Sequence, residues 1–336
     1  MVTGGDGVRL LESGERPQWD ELVEEAAREP YFAARDWIDH VAAAVGGEAE
    51  IVGAFRAGHL LGGVALPVRR RMGLRVATPP HLQPYLEVVT RESRTRVLRD
   101  ILPWIARRHP LVFLLPPPGE EDLRAYRRER WDLAYRYTLR LHLAGADEEG
   151  LLAGLERSQK RRVRRAADGD AEVRTTEDPE AHSALVLSSY RSQNKKFPLS
   201  RENGRELVRW VIASGRGRLF ELRRGGTVVA SLLTGLRGRR AYSLESGLDR
   251  ERAGGGDAPY LQFQALLRLA EEGIEEFDFL GVNHPTISRF KESFGGRLVR
   301  YHAAVPHRGL GMRAVLRLSG GGPDLEISSD GARRGG

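Results

Sequence analysis

An α/β (α+β) fold made of two similar halves is what this sequence predicts, and three observations carry the prediction. The chain has 336 residues, room for two domains of about 150 residues each. Short strand-like runs alternate with stretches of helical period along most of its length. A hairpin also recurs half a chain apart. With Gly58 placed on Gly226, His59-Leu-Leu-Gly-Gly-Val-Ala falls on Thr227-Val-Val-Ala-Ser-Leu-Leu, an offset of 168 residues, and the helices before the two hairpins end at matching distances. Self-similarity on that scale indicates two domains rather than a solenoid.

In the first half, Trp19, Leu22, Val23 and Ala26 recur at helical spacing, as do Trp37, Ile38, Val41 and Val45 before the Gly46-Gly47 stop. Residues 50–55 and 60–68 read as the two strands of the hairpin, joined by a turn at 56–59. Pro79, Pro80 and Pro84 mark a loop, and 94–109 a helix. A buried strand at 111–115 ends in three prolines, and 136–143 alternates like a further strand. The second half repeats the grammar, with a helix over 202–214, the hairpin of 219–233 and a strand over 241–248. A glycine-rich loop at 249–257 leads into a helix over 259–273 with proline in its first turn and glycine past its end. A buried strand at 274–280, a short helix at 286–294 and a last strand at 297–305 follow. The expected boundaries are 1–145, 146–308 and a disordered tail at 309–336, rich in Gly, Ser and Arg.

Composition narrows the class. Hydrophobic residues make up 40% and charged residues 29%, ordinary for a chain that buries one or two cores. No apolar run reaches the ~18 residues of a membrane span, and the N-terminus lacks an apolar signal core. A cytoplasmic protein, not integral to a membrane, is expected. With no cysteine, disulfides, thiolate zinc sites and a cysteine nucleophile are excluded. No metal-ligand cluster and no Ser-His-Asp order stands out among the nine histidines, so no metal is expected.

The net charge of +7 comes almost wholly from arginine: only Lys160, Lys195, Lys196 and Lys291 are lysines. The sharpest cluster is Arg157-Ser-Gln-Lys160-Arg161-Arg162-Val-Arg164-Arg165, six cations in nine residues. Such a segment can neutralise phosphates of RNA, of a nucleotide-linked substrate or of an anionic lipid. It can equally be a solvated helix face balanced by Asp147-Glu148-Glu149 and by Asp168 and Asp170.

Two motifs could carry chemistry. In Arg252-Ala-Gly254-Gly255-Gly256-Asp257, glycines allow close backbone approach just before a helix N-terminus, a geometry suited to pyrophosphate. The alternative is a loop whose Asp257 caps the helix. In Phe277-Asp-Phe-Leu-Gly-Val-Asn283-His284-Pro-Thr-Ile-Ser-Arg-Phe290-Lys291, a helix capped by Thr286 buries Ile287, Phe290 and Phe294 at i, i+3 and i+7. Lys291 sits beside that face and can offer a cation to charge developing on a carbonyl oxygen; otherwise its stem merely covers the helix.

The strand ending Asp-Phe-Leu-Gly, the short loop and the following Phe-Lys-x-x-Phe-Gly-Gly resemble the C-terminal signature of Fem-type acyltransferases, relatives within the GNAT superfamily that fall with its BioF2-like acetyltransferase domains. Ser158-x-Lys160-Arg161-Arg162-x-Arg-Arg-Ala resembles the basic start of that family's second domain, and the Trp37 helix, the 56–68 hairpin and Pro79-Pro80…Pro84-Tyr85 are similar to its first. The resemblance spans about residues 15–305 and implies two tandem GNAT-like domains, each a mixed, mostly antiparallel sheet flanked by helices. It implies an acyl or aminoacyl transfer to an amine, with Lys291 steadying the carbonyl oxygen and Phe290 supporting it. Tyr242 would line the acceptor site, with Glu245, Asn283 and His284 as further substrate contacts. Arg252, Gly254, Gly255, Gly256, Lys160, Arg161 and Arg162 are the candidates for the donor's phosphates. The co-substrate would be acyl-CoA or aminoacyl-tRNA, with no tightly bound cofactor, and the acceptor an amine, on a lipid-linked cell-envelope precursor for example. The sequence departs from the acyl-CoA loop pattern, Gln/Arg-x-x-Gly-x-Gly/Ala, at Asp257, and residues 150–220 have no room for the helical arm with which bridge enzymes hold tRNA. A base, if one is used, would be Glu245, His284 or His302. A small-molecule acetyltransferase and a non-catalytic module binding RNA or an anionic surface are the other readings.

Overall fold

Two hairpins organise the computed structural model, which describes residues 6–71 and 73–307. The first turns at Ala57 (φ 49°) and Gly58 (φ 77°), the second at Gly225 (φ 50°) and Gly226 (φ 79°), a near-identical pair of left-handed residues. Two-residue turns of this kind match the right-handed twist of their strands. Each returning strand then bulges three residues past its turn glycine, at Leu61 and at Val229. The 168-residue repeat is therefore a repeat of backbone geometry as well as of residue pattern.

By internal packing the chain divides into two units. The second is Tyr137–Val299, and the first comprises the chain before and after it. In unit 1, β1 (Gly7–Leu10) and a 3-10 turn lead to helices α1 (Arg16–Ala26), α2 (Pro30–Ala33) and α3 (Arg35–Ala44). The hairpin is β2 (Glu48–Arg56) and β3 (His59–Arg71), followed by β4 (Leu74–Ala77), β5 (Val89–Thr90), α4 (Arg94–Arg108), β6 (Leu111–Val112) and α5 (Arg124–Arg128). The sheet runs β1-β2-β3-β4-β6, with β5 also on β3; β4 and β6 are parallel. Its core is aromatic: Trp19 and Trp37 are fully buried, and their indole N–H groups donate to Ala33 O (3.1 Å) and Gln83 Oε1 (2.5 Å). Buried tryptophans need such partners.

Strand β7 (Trp131–His142) carries the chain into unit 2, where α6 (Glu148–Gly154), α7 (Arg157–Ala167), β8 (Glu172–Thr176), α8 (Glu180–Ser192) and α9 (Arg201–Ala213) precede the second hairpin, β9 (Gly217–Arg224) and β10 (Thr227–Arg237). Then come β11 (Arg240–Leu248), α10 (Asp257–Glu271), β12 (Glu276–Asp278), α11 (Pro285–Glu292) and β13 (Arg297–Pro306), which returns to unit 1. The sheet order is β13-β7-β12-β11-β10-β9-β8. Only the helical crossover through α10 allows β11 and β12 to lie parallel; β8–β9, β9–β10, β10–β11 and β12–β7 are antiparallel. Phe220, Leu222, Phe263, Leu266, Phe277, Phe279 and Phe294 form the core. Both sheets are mixed and flanked by helices, as tandem GNAT-like domains require.

Three expectations are corrected. The strand expected at 274–280 is paired only over Glu276–Asp278, because Ile274 N still closes the turn after α10 by donating to Leu269 O and residues 279–281 leave the sheet. Ile287 is 44% exposed rather than buried. Its helix starts at Pro285 with His284 as the N-cap residue, ahead of Thr286. The tail expected at 309–336 lies outside the described residues. Among the described residues no helix is long and apolar enough to cross a membrane, and no group of residues could hold a metal ion.

Candidate functional site

Strands β11 and β12 pair through Arg240–Glu276, Ala241–Phe277 and Tyr242–Asp278, and then part. Residues 243–248 continue along β10 with no β12 partner, so one edge of β11 faces an opening. The β10 pairing skips Leu244: Leu233 opposes Glu245 and Thr234 opposes Ser243. A bulge frees main-chain groups and re-aims side chains, which suits a binding cleft.

The far wall of the opening is the turn Phe279-Leu280-Gly281. Leu280 has φ 52°, a left-handed conformation that a branched residue adopts at a cost of about 1–2 kcal/mol. Two ionic groups hold it there. Asp278, fully buried, accepts from Leu280 N (2.9 Å), Thr138 Oγ1 (2.5 Å) and Arg140 Nε (3.0 Å). From the other side Lys291 Nζ donates to the carbonyls of Phe279 (2.6 Å), Leu280 and Gly281 (3.0 Å). The ammonium has three N–H bonds and three successive carbonyls take them. Burial pulls Lys291 down to about 8, partly countered by Asp278. The lysine points inward, held against the turn, and Phe290 packs edge-on against Phe294 (5.3 Å) on the same helix.

The other expected contacts divide. Tyr242 is on β11 where the strands part, 1% exposed. Asn283 is bound to the main chain of β7, accepting from Tyr137 N (2.9 Å) and donating to Tyr137 O (3.2 Å). His284 is exposed at the start of α11. His302 lies on the part of β13 that belongs to unit 1, held down to about 4 by burial. Glu245 follows the bulge and accepts from His182 Nε2 (3.3 Å), whose Nδ1 lies 2.8 Å from Ser231 Oγ. Neither His182 nor Ser231 stands out in the sequence; α8 itself gives little signal there, because the buried histidine and Ser183 break its apolar stripe.

The glycine-rich loop is built around a carboxylate. Asp257, fully buried in the first turn of α10, accepts from Gly254 N (2.7 Å) and takes a forked pair from Arg224 at 2.6–3.1 Å. The Arg224 guanidinium is raised further by Asp257 and Asp170. A negative charge neutralised from within thus occupies the helix N-terminus where a pyrophosphate would lie. Gly256 is used for packing: a Cβ there would sit 2.6 Å from Arg162 O on α7. Gly255 faces open space, and Arg252 is exposed beside Asp249 (3.4 Å).

Helix α7 buries Gln159, Val163 and Ala166 and turns its cations outward. The expected acidic counterweight goes elsewhere, since Asp170 pairs with Arg224 and Asp147 caps α6 through Gly150 N. Among the described residues, none of Arg157, Lys160, Arg161, Arg162, Arg164 or Arg165 makes an ion pair.

Residues 154–292 match the model of the acetyltransferase (GNAT) domain. No curated protein matches. Among solved structures, FemX superposes with a TM-score of 0.68 at 12% identity over 92% of this chain and 99% of its own. The C-terminal domain of a putative lysylphosphatidylglycerol synthetase from Agrobacterium fabrum gives 0.61 at 12% identity (91% and 96% covered), and a tandem GNAT protein from the clavulanic acid biosynthesis pathway 0.53 at 15% (90% and 99%). Over residues 154–292 this chain is therefore similar to the acetyltransferase (GNAT) domain, and it shares its tandem fold with these structures.

Proposed function

We propose that this protein is an N-acyltransferase that moves an aminoacyl group from a charged tRNA to an amine, with the β11/β12 opening as its active site. The observation that carries the choice of donor is the occupied N-terminus of α10. There the Asp257 carboxylate, locked by Arg224, fills the place that the pyrophosphate of acyl-CoA would take, while the unpaired cationic face of α7 suits a polyphosphate backbone.

The chemistry follows from the groups present. The acyl carbonyl lies along the open edge of β11, where the Leu244 bulge interrupts the β10 register and a main-chain N–H would meet its oxygen. The Lys291 ammonium, its three N–H bonds taken by the turn carbonyls, fixes the facing turn and adds positive charge there; a main-chain N–H well placed on a developing oxyanion is worth about 3–4 kcal/mol. Glu245, next to the bulge, takes the proton of the acceptor ammonium and outranks His284 and His302, which lie at an exposed helix start and in unit 1. Positioning of the neutral amine supplies much of the remaining rate. An amine on a cell-envelope precursor is the acceptor this reading favours.

The test is thermal protection of the purified protein by aminoacyl-tRNA and by acetyl-CoA, each at about 100 times its Kd, where one-site binding adds about 2.7 kcal/mol. A rise in Tm with charged tRNA alone supports the reading. A rise with acetyl-CoA alone replaces it with a small-molecule acetyltransferase.

A further inference from the structure

Ser231, His182 and Glu245 form a hydrogen-bonded row across three elements, β10, α8 and β11. These are the residue types of a hydrolase triad, but the exposure runs the opposite way. Ser231 is 1% exposed and His182 0%, so no substrate reaches the hydroxyl. The Glu245 side chain keeps 9% of its surface and lines a narrow hollow at α8 and α9 with Val186, Leu187, Phe197, Arg201, Arg205 and Val208. We propose that His182 is a positioning residue for Glu245: the carboxylate is the working end of the row, and the serine only fixes the imidazole.

The hydrogens follow from the acceptors. An ionised carboxylate can only accept, so His182 Nε2 carries the hydrogen that meets it. A neutral imidazole then has a lone pair at Nδ1, and the Ser231 hydroxyl donates to it. Serine to histidine to glutamate, each donor points toward the hollow. Removing one link leaves a buried polar group without its partner, the costly situation for side chains this deep. The arrangement holds Glu245 in one rotamer beside the bulge where the acyl carbonyl is expected.

This rests on the transferase reading above. An acceptor R–NH3+ gives one proton to Glu245. The neutral amine attacks the ester carbonyl, forming C–N. The C–O bond to the donor breaks, and the leaving oxygen takes a second proton from nitrogen. The third hydrogen stays on the amide, and Glu245 releases its proton to water.

The test has two arms on the full-length protein. Imidazole 15N spectra, with the His182 signals assigned by their loss in His182→Gln, are expected to show the Nε2–H tautomer, with signals that change in both Glu245→Gln and Ser231→Ala. An Nδ1–H tautomer, or signals indifferent to both variants, overturns the row. In the second arm, with aminoacyl-tRNA and an alkylamine as probes, His182→Leu should lower kcat by about 10- to 100-fold, a fraction of what a general base supplies, with KM for tRNA unchanged. His182→Gln, which keeps an N–H donor, should recover most of it. A His182→Leu protein as fast as the parent sinks the positioning role and leaves the transferase reading intact. A parent protein that transfers nothing sinks both, while the spectra still decide the hydrogen-bond row alone.

Discussion

Lys291 shows how one side chain can be tied to structure and to chemistry at once. Its three bonds hold a turn that contains a left-handed Leu280, just past the point where β12 stops pairing with β11. Lys291→Met leaves three carbonyls without their donor, each costing about 1–3 kcal/mol if buried, offset by relief from burying a charge. The expected result is a fall in Tm of several degrees and a loss of at least ~100-fold in kcat/KM, read by calorimetry and by transfer kinetics. Lys291→Arg should fail to rescue, since a planar guanidinium does not fit a site shaped for three converging carbonyls. Because burial lowers this ammonium to about 8, the transfer rate of the parent should also decline as pH rises through 8. A rate that stays level to pH 9.5 would take Lys291 out of the chemistry.

At the scale of elements, α7 and α10 pack together where Gly256 approaches Arg162 O. Gly256→Ala forces them apart and should cost about 1–3 kcal/mol, the range for overpacking, seen as a shifted denaturation midpoint. Replacing Arg161, Arg162 and Arg165 by alanine leaves the buried face of α7 untouched. That variant should bind tRNA more weakly at every salt concentration, with the slope of log K against log salt reduced by about 1 for each phosphate that no longer meets a cation. An unchanged slope would mean that the outward cations meet no phosphate. The same helices show what is legible in sequence. The hairpins, α9, α10 and the basic segment are plain from period and punctuation, because each buries one regular face. The opening beside β11 is not, since it arises where β12 stops pairing at Asp278, and the apolar Ile274, Phe277, Phe279 and Leu280 read as a single strand with no sign of that. The Leu244 bulge is a matter of register, invisible in a single strand. His182, Ser231 and Glu245 come together from three elements, the serine 49 and the glutamate 63 residues away from the histidine, a juxtaposition only the sheet creates. Asp257 reads in the sequence as the cap of α10, but the structure puts Gly256 at the N-cap and commits the carboxylate to Gly254 N and to Arg224, at the end of a hairpin strand 33 residues away.

For the whole molecule, stability should vary with pH through three buried groups of unit 1 that pull in different directions. Burial holds His109 and His302 near 4, against an ordinary 6.5, and Arg75 and Arg300 respectively add to the effect. Between pH 4 and 6.5 the unfolded chain binds protons that the folded imidazoles refuse, so both groups make stability rise with pH. Glu87 works the other way. Burial pushes its carboxyl up to about 7 despite Arg94 and the main-chain N–H groups of Arg28 and Glu29. It stays protonated in the fold while the unfolded chain releases its proton near 4.5, so its contribution fades from pH 4.5 to 7. Each group amounts to about 3 kcal/mol over its window. Two rising terms against one falling term leave a net gain of about 3 kcal/mol between pH 4 and 6.5, then a slight decline to pH 7. Urea titrations at half-unit steps of pH check the curve. Glu87→Gln, which keeps an oxygen to accept from Arg28 and Glu29, removes the falling term and should roughly double the gain. His109→Gln should nearly flatten it, and a parent protein whose stability falls steadily from pH 4 to 6.5 would show that these imidazoles are not buried as neutral groups.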